Sequence, residues 1–384
     1  MNMVEHFRVA NSSRFPIVLA HILLFVAAIS VWIGFAHTQW TGSPFEPSGL
    51  VRGWDFQQFY LAAHMPPDRL YDREAFQTTQ QLLLPVDDKN ILFLPLYPPT
   101  IALLCKPLSW LGYLEALAVW RIINVASYII SGWLLIRSVP QAWKCTAFLI
   151  LLGFFPFIVA LRAGQIAPLL MLCTVVGLKY KRGLPLSLLA LKPQFAVGML
   201  VILLVRREYT LALSMLLGIA AQCLAVIFLL GPNVGFAYLE FATIYWRHSE
   251  IYVFPPGWVH SLASLIGTNG HLVVLAGLTV YAVMLRKLEW QQEMAIAVAY
   301  MLLFTPHLLL YDLLFLAIPI VGLLPKWNIP TWLLIASSAI LLPIWELTGT
   351  TMIPVLLIWV LISPIQFARS TNFFVPSRNH TPTA

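Results

Sequence analysis

In the stretch GWDFQQFYLAAHMPPDRLYD, Gly53 to Asp72, one acid stands between a tryptophan and a phenylalanine, in a chain that is 60% hydrophobic and only 10% charged. That acid, Asp55, has two possible uses. With Gln58 three residues later it fits a capping box at the start of a helix. As a carboxylate fixed at a bilayer surface it is also placed to act as a general base, taking a proton from a hydroxyl. The two uses compete, because an oxygen bonded to backbone amides holds a proton less readily. Asp72, in RLYD, is similarly double, since it can cap the helix that begins near Glu74.

The elements around these acids are membrane elements. A chain of 384 residues with a mean hydropathy of +0.81 and apolar runs such as Phe15 to His37 does not fold with a water-facing surface. The runs are continuously apolar rather than alternating, which predicts an all-α polytopic transmembrane bundle and not a β-barrel. The first run is too long for a signal-peptide core and is expected to stay as an anchor. The net charge of +7 falls in short basic clusters between apolar runs, so it reads as topology rather than as a nucleic-acid surface. Cys105, Cys145, Cys173 and Cys223 have no metal-ligand or disulfide spacing and read as packing residues. No cofactor and no metal are expected.

Charge placement predicts a cytoplasmic N-terminus (1–14), a large outer loop carrying interfacial helices (38–97), RAGQ (Arg162 to Gln165) outside, and KYKR (Lys179 to Arg182) inside. Tyr97 to Gly112 becomes a shallow re-entrant segment. GLPLSLLALKPQFAVGMLVILLV, flanked by basic clusters on both sides, becomes a second partial hairpin with Lys192 and Pro193 at its tip. A crossing over about 209–231, a second outer loop (232–270), a crossing ending at Arg286 and Lys287, two spans joined at Thr305 to His307, Lys326 inside, two last spans and a cytoplasmic tail (369–384) complete the chain. The total is about ten full crossings and two partial hairpins in one domain. Seven of the sixteen acids (Glu46, Asp55, Asp68, Asp72, Glu74, Asp87, Asp88) lie in the first outer loop. There, Phe56, Phe59, Tyr60 and Ala63 form one apolar stripe on a short helix lying along the interface, with Asp55 at the water–lipid boundary.

WDFQQFYLAAH, then RLYD, then LYPPTIALLCKPLSWLG with EALAVWRIIN, then RAGQ, then LALKP followed by RRE, resembles glycosyltransferase family 87 over roughly residues 15–325. The resemblance implies a GT-C type membrane fold, a polyprenyl-phosphate-linked sugar as donor, and a lipid or glycan hydroxyl as acceptor. It also implies inversion at the anomeric carbon, a mannose-like sugar, and an acid in the first outer loop as base, which maps to Asp55. The expected location is the plasma (inner) membrane, with the active site on its extracytoplasmic side. GQIAP has Ala167 and Pro168 where the family usually has asparagine, and TPHLLLYD replaces a common tryptophan–histidine pair.

A lipid phosphate leaving group calls for cations or hydrogen-bond donors. Arg162 and Gln165 are placed outside for that task, although an outer arginine in water needs no such role. Lys192 near mid-membrane is costly without a partner or cavity, unless it snorkels. His307 can bind phosphate or acceptor, or be a structural histidine. Tyr60, Asp72, Arg247, His248, Trp258 and His260 complete the candidate substrate contacts, with Trp246 beside them and an interfacial aromatic belt as the alternative. Arg121, in AVWRIIN within an expected crossing, makes the same argument as Lys192 more weakly, with a structural ion pair to Asp312 or Glu115 as the alternative. Absence of a DxD pair fits a lipid monophosphate donor. The competing functional reading is a transporter or flippase for a lipid-linked or small polar substrate, with Lys192, Arg121 and Asp312 along its pathway. A non-catalytic scaffold is a third.

Overall fold

The computed structural model describes residues 15–39, 43–46, 51–84, 96–247, 261–284 and 288–324. The N-terminal segment 1–14, the two last spans with Lys326, and the tail 369–384 lie outside the described residues. The architecture is all-α, with an isolated bridge between Phe45 and Val51.

The expected count of crossings is corrected. Among the described residues four stretches, and not about ten, are long and apolar enough to cross a bilayer: Val18–Gln39, Tyr113–Ile136, Gln141–Ala163 and Tyr209–Leu230. Hydropathy measures where a chain prefers to dissolve, whereas helix length is set by where backbone torsions break. Ala167–Lys179, counted as a crossing, is a shorter apolar helix of 13 residues. At helical rise that is about 20 Å, against a hydrocarbon core of about 30 Å. Gly164, at φ +68°, ends one helix in the left-handed conformation, Pro168 opens the next, and Lys192 (φ −125°, ψ 88°) interrupts a third run just before Pro193.

Helix α1 (Phe15–Gln39) presents Ile22, Leu23, Val26 and Ile33 outward, the surface that acyl chains would cover. After it come α2 (Phe56–His64), α3 (Arg73–Leu83) and α4 (Thr100–Cys105). The long α5 (Tyr113–Ile136) leads into α6 (Lys144–Leu152) and α7 (Phe155–Ala163), which are separated by an extended Phe154. Next are α8 (Ala167–Lys179), α9 (Gly183–Leu186), α10 (Pro193–Val205), α11 (Tyr209–Leu230), α12 (Pro232–Arg247), α13 (Leu262–Met284) and α14 (Trp290–Phe304). A 3₁₀ segment, Leu310–Leu316, then runs into α15 (Ala317–Gly322). The main packing pairs are α5 with α8, α10 with α14, and α7 with Leu310–Leu316.

Two local expectations also change. Helix α2 is not an interfacial helix with one apolar stripe: Phe56 through Ala63 are all buried, Gln57 and Gln58 included, and α2 packs on α4 and on Lys106–Trp110. Its Phe56 ring stacks on Trp120 at 5.8 Å, and Phe59 meets Tyr97 edge-on at 4.7 Å. Of the cysteines, Cys105 and Cys173 are buried as packing residues, whereas Cys145 and Cys223 are exposed.

Candidate active site

The site begins with four backbone carbonyls. The last four C=O groups of an α-helix have no partner within it. At the end of α7 these are Leu161, Arg162, Ala163 and Gly164, and each is taken by a group from a sequence motif far away in the chain. Arg121 donates Nε to Leu161 O at 3.1 Å and Nη2 to Arg162 O at 3.3 Å. Trp120 Nε1 donates to Gly164 O at 2.8 Å, and one turn on, Asn124 Nδ2 donates to Gln165 O at 2.8 Å. Residues 120, 121 and 124 share one face of α5. The fourth carbonyl, Ala163 O, accepts from the backbone amide of Asp55 at 3.0 Å.

That bond brings the two most informative motifs, WDF and RAGQ, together, and two glycines permit the approach. Gly53 has φ +67° and Gly164 φ +68°; a Cβ on Gly164 would lie 2.6 Å from Phe56 Cβ, and one on Gly53 2.6 Å from Leu117 Cδ1. Tyr113 fixes the turn further, its hydroxyl bonding Arg52 O at 2.6 Å and Gly53 O at 3.0 Å.

Asp55 stands at the N-cap of α2, but its side chain makes no capping bond. It is buried, 8% exposed, and its Oδ2 has no hydrogen-bond partner among the described residues. Gln165 and Tyr311 face it as side-chain donors, and Lys192 and Asp312 act on it through their charges. Burial raises the Asp55 carboxyl from 3.8 to about 6, against the opposing pull of Gln165, Lys192 and Tyr311. The side chain of Asp55 is thus covered by protein.

Lys192 and Asp312 form a buried ion pair, Nζ to Oδ1 at 2.5 Å, with side chains 5% and 2% exposed. The Lys192 ammonium also lies 4.8 Å from the centroid of the Tyr311 ring. Gln165 accepts from the Tyr97 hydroxyl at 3.0 Å, and Tyr97 O in turn accepts from the Tyr71 hydroxyl at 2.9 Å, which ties LYPP and RLYD to RAGQ. Tyr97 and Tyr71 also line a shallow cleft with Gln58, Ala62, Leu70 and Ile101.

On the other side of the Asp55 turn lies a second charged network. Arg162 pairs with the buried Glu46 at 2.5 Å and stacks over Trp54 at 5.6 Å. Gln39 joins Arg121 (2.8 Å), Glu46 (2.8 Å) and, through its carbonyl, Arg52 (2.7 Å). Arg121 thus holds carbonyls and Gln39 and is not the ion-pair partner of Asp312 or Glu115 that its sequence context suggests.

The remaining candidates are dispersed. Tyr60 bonds Leu111 O at 2.8 Å from within the aromatic core. Asp72 caps α3 through Ala75 N at 3.0 Å and pairs with Arg69 at 2.8 Å; these bonds hold its carboxyl below the usual range. His307 lies in the turn after α14, where burial lowers its proton affinity. Arg247 ends α12, and of its side chain and that of Trp246 nothing is described; His248, Trp258 and His260 lie outside the described residues.

Sequence reasoning did not select Tyr97, Tyr311, Trp120 or Asn124 as site residues, and it named Asp312 only as a partner for Arg121 and on the transport pathway. Asp312 carried the same signal as Lys192, an ionisable group inside an apolar run. Tyr97 lay in a quoted motif without being weighed.

Glycosyltransferase family 87 is matched over residues 95–311, a segment that holds Tyr97, Trp120, Arg162, Gln165, Lys192 and Tyr311 and begins downstream of Asp55. No curated protein and no solved structure matches the chain. With its long apolar helices and a match over more than half its length, this membrane protein belongs to glycosyltransferase family 87.

Proposed function

We propose that the protein is an inverting glycosyltransferase that moves a mannose-like monosaccharide from a polyprenyl phosphate to a lipid or glycan hydroxyl, with Asp55 as general base. One observation carries the reading: a buried carboxylate oxygen with no hydrogen-bond partner among the described residues, on a residue that forgoes its capping bond. A native structure seldom leaves such a group unpaired without a use for it.

In the reaction the acceptor O–H proton passes to Asp55 while its oxygen bonds the anomeric carbon. The bond from that carbon to the phosphate oxygen breaks on the opposite face, and the polyprenyl phosphate leaves with the electron pair. A proton affinity near 6 suits a base that is free at neutral pH yet able to accept a proton. Arg162, paired with Glu46 and with Arg121 joined to the same network through Gln39, supplies the positive charge that a phosphate needs. Lys192 is already neutralised by Asp312, which favours the arginine side for the phosphate. Since Asp55 is covered, the acceptor reaches it only by displacing side chains. We assign that approach to the side of Tyr97, whose hydroxyl bonds Gln165.

Orientation follows from charge. Lys179 donates to Leu134 O and Ser138 Oγ at the far end of α5 and faces Trp290, whose neighbours include Lys181 and Arg206. A basic end of this kind supports a cytoplasmic assignment for that side, and with it the reading of Asp55, at the opposite end of α5, as extracytoplasmic in the plasma membrane. The transport reading needs charges distributed along a path through both halves of the protein. Among the described residues, the buried charges, Glu46, Arg52, Asp55, Lys192 and Asp312, gather at one end.

The test is to reconstitute the chain in vesicles with a panel of polyprenyl-phospho-monosaccharides. The reading expects one donor to be consumed, with the product anomer inverted relative to it. Retention of configuration, or passage of a solute with no donor consumed, would reject it.

A further inference from the structure

We infer that Asp312 is a positioning residue for Asp55: it pins Lys192 and cancels its charge, and the balance within this buried pair sets the pH at which Asp55 can take a proton. The inference rests on the reading of Asp55 as the base and adds a group that acts through it.

The geometry is specific. Asp312 uses both oxygens, Oδ1 on Lys192 Nζ at 2.5 Å and Oδ2 accepting from Leu309 N at 3.2 Å, so its carboxylate is held on two sides. Lys192 stands where the backbone breaks before α10, its ammonium against the ring of Tyr311. Segment Leu310–Leu316 packs on α7, whose carbonyl at Ala163 holds the Asp55 amide. Both charges therefore reach Asp55 through a buried environment, where screening is weak.

The groups that face Asp55 come from each surrounding element. They are Tyr97 before α4, Tyr113 on α5, Gln165 before α8, Lys192 before α10, and Tyr311 with Asp312 in the 3₁₀ segment. Among these described groups, Lys192 and Asp312 are joined as an ion pair. As a pair they act on Asp55 as a dipole. Removal of either leaves a bare charge, and the two removals have opposite signs: the lone ammonium favours ionised Asp55, and the lone carboxylate favours its protonated form. A purely structural ion pair predicts no such opposition, because loss of either partner would then weaken the fold alike.

The experiment uses the full chain in vesicles with the donor identified above, and variants Asp312→Asn, Lys192→Gln and the double variant. In the pH profile of kcat/KM, Asp312→Asn should move the acid limb down by about one pH unit and Lys192→Gln should move it up by about one, with the double variant returning it. A second readout needs no activity: for each protein, the difference in Tm from its Asp55→Asn counterpart, followed against pH, reports Asp55 ionisation directly. It should shift in the same directions. Shifts of one sign in both single variants, or none in either readout, overturn the inference. Where one single variant fails to accumulate, the sign of the other decides. Full activity in Asp55→Asn would reject Asp55 as the base, while the Tm differences would still show whether the pair controls its ionisation.

Discussion

The backbone amide of Asp55 donates to the carbonyl of Ala163 at 3.0 Å, so the last turn of one apolar helix is closed by the residue that opens another. Few contacts could fix a carboxylate more firmly, because the other three free carbonyls of that helix end are held by α5. The position of Asp55 is therefore set by main-chain bonds, and its side chain is left for other work.

That arrangement depends on Gly164. Alanine there must hold φ +68°, and its Cβ would meet Phe56 Cβ at 2.6 Å. Gly164→Ala should lower stability by about 2 kcal/mol or more and reduce transfer with it. Gly34, with nothing within 4 Å, is the control, and Gly34→Ala should be neutral or slightly stabilising in thermal melts.

Trp120→Phe keeps the ring that stacks on Phe56 and removes the donor to Gly164 O at 2.8 Å. A buried carbonyl without a partner costs about 1–3 kcal/mol. Melts should show that loss. The acid limb of the pH–rate profile should stay in place, because no charge near Asp55 has changed.

Much of the site was legible as motifs, and little of it as geometry. WDF, RLYD, LYPP, WRIIN, RAGQ and LKP are all present as short strings, yet their convergence depends on bonds between residues 68 (Tyr97 to Gln165) and 120 (Lys192 to Asp312) positions apart, which no local pattern encodes. Cap statistics made Asp55 and Asp72 look alike. The structure separates them: Asp72 bonds Ala75 N, and Asp55 bonds no amide with its side chain. The crossings were overcounted because Ala167–Lys179, Asn269–Met284 and Leu310–Gly322, apolar enough to be counted as crossings, are shorter helices, whereas the breaks at RAGQ and at Lys192–Pro193 were legible from charge and proline. Burial of α2 was hidden because Gln57 and Gln58, polar in sequence, are covered in the fold.

Stability should carry the mark of the raised Asp55 carboxyl. A group whose folded proton affinity, about 6, exceeds its unfolded value of 3.8 is favoured in the folded state when protonated. Its contribution is therefore greatest below the unfolded value and is lost as pH rises from about 4 to about 6. Asp55→Asn removes the burden of the buried charge, so at pH 7.5 the variant should be the more stable by up to about 3 kcal/mol. The gap should close as pH falls towards 4, and Tm measured across that range checks the sign.

The central claim is that Asp55 accepts the acceptor's proton, and the most direct measurement is the transfer rate of purified Asp55→Asn beside wild type. Both are compared in the same vesicles at pH 7.5 with saturating donor and a melt confirming the fold. Loss of the base should slow transfer by roughly 10²- to 10⁴-fold while the variant remains folded. An undiminished rate would contradict the assignment.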